Sequence, residues 1–174
     1  MNLLHGRAVA EESESVRGQI LKELSRPRPH FTPRQDLFFD RAQNDSNWSV
    51  RMAALESIAT LWPNDMRTRQ ILESCVLSEE VNTVRKAALQ ALVHLPSPKE
   101  SMLEFLLDQA VMDQDYLLRR TSLELLARNW ERNLRVEEVL SNRVKLDPNE
   151  YVRKAAEGLL DAGRSGTISQ VESR

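Results

Sequence analysis

The chain has 174 residues, which is enough for one domain with a sizeable hydrophobic core. Hydrophobic residues make up 41% of it and charged residues 29%, the proportions of an ordinary globular protein. Those proportions exclude a disordered or collagen-like chain. The formal net charge is −2, so no overall electric field selects nucleic acid or an anionic membrane surface.

Sequence features of secreted and membrane proteins are missing from the chain. A single cysteine, Cys75, excludes an internal disulfide framework and fits a reducing compartment. No apolar run reaches the roughly 18 residues of a membrane span, and the N-terminus lacks the apolar core of a signal peptide. We therefore expect a cytoplasmic protein that does not enter the membrane.

The predicted elements are α-helices that follow one another in pairs. The first pair covers residues 1–25 and the second covers residues 33–62. In the second pair, apolar residues from Val50 to Leu61 recur at helical spacing, and Pro63 prevents the helix from continuing. The first helix of each pair is named helix A, and the second is named helix B.

Three further pairs are predicted at residues 65–95, 98–130 and 134–162. The stretch from Ser97 to Glu100 has the sequence of a capping box, with a proline at the first helical position. Asp147 and Pro148 open the last helix in a similar way, and Gly163 suits its C-terminal end. Because the connections are short, neighbouring helices should run antiparallel.

An arginine recurs in all five helices B with a constant interval of 34 residues. An apolar residue precedes each arginine directly, and an acid stands six positions before it. The arginines are Arg17, Arg51, Arg85, Arg119 and Arg153, and the acids are Glu11, Asp45, Glu79, Asp113 and Asp147. A period between 20 and 50 residues is typical of solenoids and related arrays.

The motif Val-Arg-x-Ala-Ala-Leu, with its preceding acid, resembles the HEAT repeat family over residues 1 to about 163. The match is weakest at Arg17, where Gly18 and Gln19 replace the small apolar pair. The period equals that of tetratricopeptide repeats, but their Trp-x-x-Leu-Gly-x-x-Tyr motif is absent. The resemblance implies an all-α fold, namely a right-handed α-α superhelix (an α-solenoid) of about five HEAT-like helical hairpins.

In the HEAT family the acid and the arginine form a polar ladder between successive repeats. The resemblance therefore implies a structural role for Asp45, Arg51, Glu79, Arg85, Asp113, Arg119, Asp147 and Arg153. Short-period units of this kind are similar to bacterial arrays found behind NACHT-type signalling ATPases. They are also similar to relatives of the phycobilisome-lyase HEAT-like proteins.

We expect one repeat domain over residues 1–163 and a flexible C-terminal tail over residues 164–174. One flank of helix B is polar only in the first pair, at Gln19, and the opposite flank is polar only in the last pair, at Glu157. Terminal repeats need a polar outer face to remain soluble. This pattern predicts that both ends of the array are capped.

The outward positions of helix B predict a binding surface. Charges on this face would set the register of a bound protein or peptide, and apolar residues would supply affinity. The residues predicted to contact a partner on the concave helix B face are Trp48, Met52, Glu56, Lys86, Gln90, Tyr116, Arg120, Glu124, Arg128 and Lys154. The alternative is a solvated face held by ion pairs between residues four apart, such as Arg120 and Glu124.

Aromatic residues recur at 68 residues, which is twice the repeat. Trp48 and Tyr116 stand near the start of helix B, and we predict that they are exposed anchors. Trp62 and Trp130 stand at the other end, where they are expected to seal the bend onto the following helix A.

Motifs that carry chemistry are absent from the sequence. The three histidines stand apart from one another and from any neighbouring glutamate, whereas metal-dependent HEAT hydroxylases use His-Glu pairs. Cys75 occupies an inward position of helix A, which predicts a half-buried thiol and not a nucleophile. No phosphate-binding loop with a lysine is present. We expect no enzyme activity, no metal and no cofactor.

The leading hypothesis is a non-catalytic protein–protein interaction scaffold, either monomeric or part of a larger complex. One alternative is binding to a nucleic-acid backbone through Lys86, Arg120, Arg128 and Lys154, although the interleaved acids argue against a nucleic-acid partner. A second is a bilin lyase or chaperone-like subunit, suggested by the family. A third is the sensor array of a signalling ATPase.

Overall fold

The structure is a computed structural model that describes residues 13–26, 33–96 and 98–165. These residues form nine α-helices and contain no β-strand. The helices are α1 (Glu14–Ser25), α2 (Gln35–Asn44), α3 (Trp48–Leu61), α4 (Met66–Ser78), α5 (Asn82–Val93), α6 (Lys99–Met112), α7 (Tyr116–Asn129), α8 (Leu134–Leu146) and α9 (Glu150–Ser165). The predicted all-α repeat of helical hairpins is confirmed.

The odd-numbered helices are the predicted helices B, and the even-numbered helices are helices A. The first predicted helix A, with the ladder acid Glu11, lies outside the described residues. The helices belong to two compact units, Met1–Pro96 with α1 to α5 and Ser97–Arg174 with α6 to α9.

In the first unit, α2 packs on α3 and α4 packs on α5, while α3 also packs against both α1 and α5. The Asn47 side chain caps α3, because it accepts hydrogen bonds from the first free N–H groups of that helix. Asp65 caps α4 in the same way. In this unit, the leucines five positions after the apolar residue that precedes each repeat arginine, such as Leu21 and Leu55, are fully buried in the core.

In the second unit, α6 packs on α7 and α8 packs on α9, and α7 also packs against α9. Asp115 caps α7 and Asn133 caps α8 through backbone N–H groups. The core is again built from leucines that face inward at helical spacing, among them Leu118 and Leu123, which are fully buried.

Two helix ends differ from the sequence prediction. Helix α9 continues through Gly163 to Ser165, so the first two residues of the predicted tail are helical. Glycine permits a helix to end but does not force it to, because it tolerates helical dihedrals as well as left-handed ones. Pro98 is the N-cap of α6 and not its first residue. Ser97, the start of the predicted capping box, and residues 166–174 lie outside the described residues.

Candidate functional site

In the first unit, the predicted binding residues form rows along two helices. On α3, Trp48, Met52 and Glu56 are four residues apart and therefore lie on one helix face. The Trp48 side chain is 43% exposed, Met52 is half-buried and Glu56 is exposed. On α5, Lys86 is half-buried and Gln90 is exposed. We call these rows, and separately the equivalent rows of the second unit, the helix B strip of each unit.

In the second unit, the strip follows α7 and the start of α9. Tyr116, Arg120, Glu124 and Arg128 are four residues apart on α7, and Lys154 lies on α9. Arg120 Nε donates to Glu124 Oε1 at 2.7 Å, and Lys154 Nζ is 3.6 Å from an oxygen of Glu150. The strip of this unit therefore mixes both signs of charge, and two of its cations have carboxylates beside them.

An apolar edge lies where the A helices of the second unit turn into the B helices. The ring of Tyr116 lies 6.2 Å from that of Tyr151, which is 56% exposed. Met112 and Leu146, the last residues of α6 and α8, are also exposed. Sequence reasoning did not find Tyr151, because it stands 35 residues after Tyr116 and therefore outside the 68-residue spacing of the aromatic column. Such apolar exposure is common at interaction surfaces.

The two tryptophans at the ends of helices B differ from each other. Trp62 contacts the helix A of its own hairpin, since its ring lies 5.5 Å from Phe38 and 6.0 Å from Phe39, both on α2. The contact with α2 differs from the predicted packing on the following helix A. Trp130 is half-buried beside α8, which is the helix A that follows it.

In the first unit, two of the repeat arginines each donate two hydrogen bonds to a carboxylate 28 residues further along the chain, an arrangement called a grip below. Arg17 donates from Nε and Nη2 to the two oxygens of Asp45, at 2.9 and 2.8 Å. Arg51 grips Glu79 in the same manner, at 2.8 and 2.6 Å. Since the acid stands six residues before the next arginine, each grip links one hairpin to the following one. Arg85 Nε donates to the carbonyl oxygen of Val76 at 2.7 Å.

The second unit repeats this arrangement. Arg119 donates to both oxygens of Asp147, at 2.9 and 2.8 Å, and its third nitrogen donates to the carbonyl oxygen of Asp113 at 2.9 Å. Arg153 donates to the carbonyl oxygen of Asp147 at 2.7 Å. Each acid also accepts the backbone N–H two residues on, as Asp147 does from Asn149, which organises the turn into helix B.

Asp45, Glu79 and Asp147 have lowered pKa values and are held in their ionised form. Burial raises the pKa of Asp147, but hydrogen bonds from Arg119 and from the Asn149 backbone outweigh it and lower the pKa overall. The pKa of Asp45 is lowered by the same balance. For Glu79, the hydrogen bond from Arg51 is the largest cause and lowers the pKa against the effect of burial.

These pKa shifts predict that the fold loses stability in acid. The folded-state pKa values of Asp45, Glu79 and Asp147 lie below those of the unfolded chain, so the unfolded chain takes up protons first as the pH falls. The ladder's contribution to the free energy of unfolding is complete above about pH 5. It is lost as the pH falls through about 4 towards the folded-state pKa values. Thermal unfolding followed by circular dichroism from about pH 7 to about pH 3 measures this loss.

The Glu157→Gln variant is a control, because Glu157 is an exposed carboxyl outside the ladder. It should keep the pH dependence of the unaltered chain. A midpoint temperature that stays constant across this pH range in the unaltered chain would contradict the prediction.

Groups suited to covalent or metal chemistry are few in the part of the chain that the structure describes. Burial, with the charge of Glu79 as a second cause, raises the pKa of the Cys75 thiol to about 11. The thiol therefore stays protonated at neutral pH, where a thiolate would be needed for nucleophilic attack. Within residues 13–26, 33–96 and 98–165, no cluster of three metal-binding side chains occurs. None of the nine helices is both long and apolar enough to cross a membrane.

Comparison with known proteins supplies the family. The family description "HEAT repeats" matches residues 2–93, which are 92 of the chain's 174 residues. No curated protein and no solved structure matches the chain. The matched stretch exceeds half of the chain, and in both units an arginine of one hairpin grips a carboxylate of the next. The protein therefore belongs to the HEAT repeat family.

Proposed function

We propose that this protein is a non-catalytic scaffold that binds a protein or peptide segment along the helix B strip. HEAT repeats are commonly protein-interaction scaffolds. The observation that carries the proposal is the row on α3, where the exposed ring of Trp48 shares one helix face with Met52 and Glu56. Tryptophan is among the residues that most often dominate binding energy at protein interfaces, and methionine adapts to varied apolar partners.

The charges of the strip fit a polypeptide partner better than a nucleic acid. Binding to a nucleic-acid backbone needs a face on which basic residues dominate. On this strip, Arg120 is hydrogen bonded to Glu124, and Lys154 lies beside Glu150. A surface that alternates in sign can instead fix the register of a segment that carries both charges.

The proposal extends to the second unit through its aromatic residues. Tyr116 begins the row on α7 and contacts Tyr151, so two rings stand beside the charged part of the strip. An aromatic residue therefore begins the row on α3 and the row on α7, and the row on α7 continues with charges of alternating sign. A segment bound to either row would need an apolar side chain near the start of that helix. We propose a cytoplasmic location for the protein, as a monomer or as a subunit of a larger complex.

Charge reversal on the strip tests the proposal. The double variant Lys86→Glu/Arg120→Glu, with one change in each unit, should weaken partner binding about tenfold or more, because it inverts one cation in the strip of each unit. Purification of tagged protein from its native host identifies bound proteins by mass spectrometry. The affinity of the purified partner for each variant is then measured by isothermal titration calorimetry.

A matched control changes the same amount of charge elsewhere. Lys99→Glu/Lys145→Glu alters exposed residues of two A helices, α6 and α8, and should bind the partner as the unaltered chain does. Equal weakening by both double variants would contradict strip binding. Capture of nucleic acid with an affinity that falls steeply with salt would favour the alternative function.

A further inference from the structure

A small cleft opens in the last hairpin, between α8 and the C-terminal half of α9. Its volume is about 170 Å³. It is lined by the apolar side chains of Trp130, Val136, Leu140, Leu159 and Leu160, and Gly163 completes one side. None of the helix B strip residues lines this cleft, so it is a separate surface.

The hairpins of the first unit show what covers the end of helix B elsewhere in the fold. Leu95, two residues after α5, is only 5% exposed, and the carbonyl oxygen of the next residue accepts a hydrogen bond from Arg69 of α4 at 3.1 Å. Trp62, directly after α3, packs on Phe38 of its own hairpin. Each of these hairpins is therefore closed by an apolar residue that follows helix B.

At the corresponding position of the last hairpin, the described residues supply no apolar side chain. Counting 68 residues on from Leu95 gives Gly163, which has no side chain, and the next position holds the exposed Arg164. The counterpart of Arg69 is Glu137, whose carboxylate cannot donate the equivalent hydrogen bond when ionised. Apolar side chains that the fold covers in the hairpin of α4 and α5 are therefore left open between α8 and α9.

The size of the cleft suits one side chain. Cavities of about 150 Å³ lined by aliphatic and aromatic residues hold a molecule the size of benzene. Sites for small-molecule ligands are larger, at about 300 to 1,000 Å³. A leucine or an aromatic ring would fill the cleft, whereas a large cofactor would not fit.

The charges around the cleft are unpaired and differ from side to side. Within the described residues, the side chains of Glu131, Arg132, Glu137 and Arg164 have no hydrogen-bond or ion-pair partner. Glu131 and Arg132 lie on the turn before α8 and Glu137 lies on α8, so two of these three residues are acidic. The residue on α9 is the basic Arg164. A complementary segment would carry a basic residue on one side of its anchor and an acidic residue on the other.

We propose that this cleft binds one leucine-sized or aromatic side chain of a partner polypeptide, in a segment where that anchor lies between a basic and an acidic residue. The anchor takes the place that Leu95 occupies in the hairpin of α4 and α5. The flanking residues pair with Glu137 and Arg164, which lie on opposite sides of the cleft.

Nuclear magnetic resonance of the full chain tests the proposal with a defined probe. The probe is the peptide Lys-Ser-Leu-Ser-Glu with both ends blocked, titrated to millimolar concentration. The indole N–H signal of Trp130 should shift and saturate, while the signals of Trp48 and Trp62 stay in place. Replacing the peptide's leucine with serine should weaken binding about tenfold or more, the factor expected from burying one leucine side chain.

Two variants in the same helix test the location. Gly163→Leu fills the cleft from α9 and should weaken peptide binding about tenfold or more. Gly158→Leu is the matched control, because Gly158 is exposed on α9 outside the cleft and a Cβ added there meets nothing within 4 Å. It should bind the peptide as the unaltered chain does. Circular dichroism checks that both variants are folded.

Three results would overturn the proposal. The first is a Trp130 signal that does not move, and the second is unchanged binding in Gly163→Leu. The third is a tenfold gain in affinity when Ile168 and Val171 are replaced with serine, because the chain's own C-terminal segment would then be the occupant. Equal binding of the peptide Glu-Ser-Leu-Ser-Glu would overturn the charge requirement.

Discussion

Replacing Arg119 with methionine should lower the free energy of unfolding by about 3 kcal/mol, the lower end of the range for breaking a buried ion pair. Arg119 is 6% exposed and Asp147 is 2% exposed, so the variant would leave a buried carboxylate without its main partner. Arg143, at 3.8 Å, and the backbone N–H of Asn149 remain beside Asp147 and limit the loss. Urea unfolding at pH 7, followed by circular dichroism, measures the change.

The control for this prediction lies next to Arg119 in the sequence. Arg120→Met removes an exposed arginine that pairs with Glu124 on the same helix, and should cost less than about 1 kcal/mol. The double variant Arg119→Met/Asp147→Asn should be more stable than Arg119→Met alone, because its asparagine still accepts from Asn149 but buries no charge. Equal losses of unfolding free energy in Arg119→Met and Arg120→Met would contradict the prediction, because the hydrogen bonds from Arg119 to Asp147 would then stabilise the fold no more than a surface ion pair does.

The repeat fold could be predicted because two independent periods agree along the chain. The 34-residue interval aligns the arginines, and the helical spacing around each one identifies an inward face. The apolar residues Val50, Val84, Leu118 and Val152 that precede the arginines are all fully buried. Val16, which precedes Arg17, is the exception and is exposed. The period alone could not distinguish a buried position from an exposed one in the first repeat.

The partners within the ladder were harder to derive from the sequence. A separation of six residues between Asp45 and Arg51 is compatible with a contact inside one repeat. In the structure, Arg51 donates to the carbonyl oxygen of Asp45 and grips the carboxylate of Glu79 in the next hairpin. A period fixes which residues are equivalent, but the partner that each side chain selects depends on how the hairpins stack.

The cleft was missed for a related reason. In the sequence, Gly163 stands where a helix could end. Nothing around it indicates that the equivalent residue of an earlier hairpin is a buried leucine. The comparison becomes visible only when Leu95 is known to be buried. Likewise, Tyr151 lies outside the aromatic column, so its contact with Tyr116 follows from the packing of α7 beside α9 and not from the repeat.

A second large effect is expected from Phe38→Ala. Phe38 is fully buried on α2, and its ring meets the Trp62 ring at 5.5 Å with an angle of 66° between the planes. Removing the ring leaves a cavity and deletes this edge-to-face contact, which should cost about 3–5 kcal/mol of unfolding free energy. Urea unfolding measures the loss, and the fluorescence of Trp62 in a background where Trp48 and Trp130 are phenylalanine reports the local change.

A comparison of Phe38→Ala with Phe38→Leu tests whether the ring contact with Trp62 holds this hairpin closed. Phe38→Leu keeps most of the volume and should cost less than about 1.5 kcal/mol, with little change in Trp62 emission. In Phe38→Ala, Trp62 gains contact with water and its emission should move to longer wavelength, since the indole is half-buried against α2. If both variants lost the same stability, the ring contact would not hold this hairpin closed, and the closing role assigned to the residue after helix B would fail for Trp62.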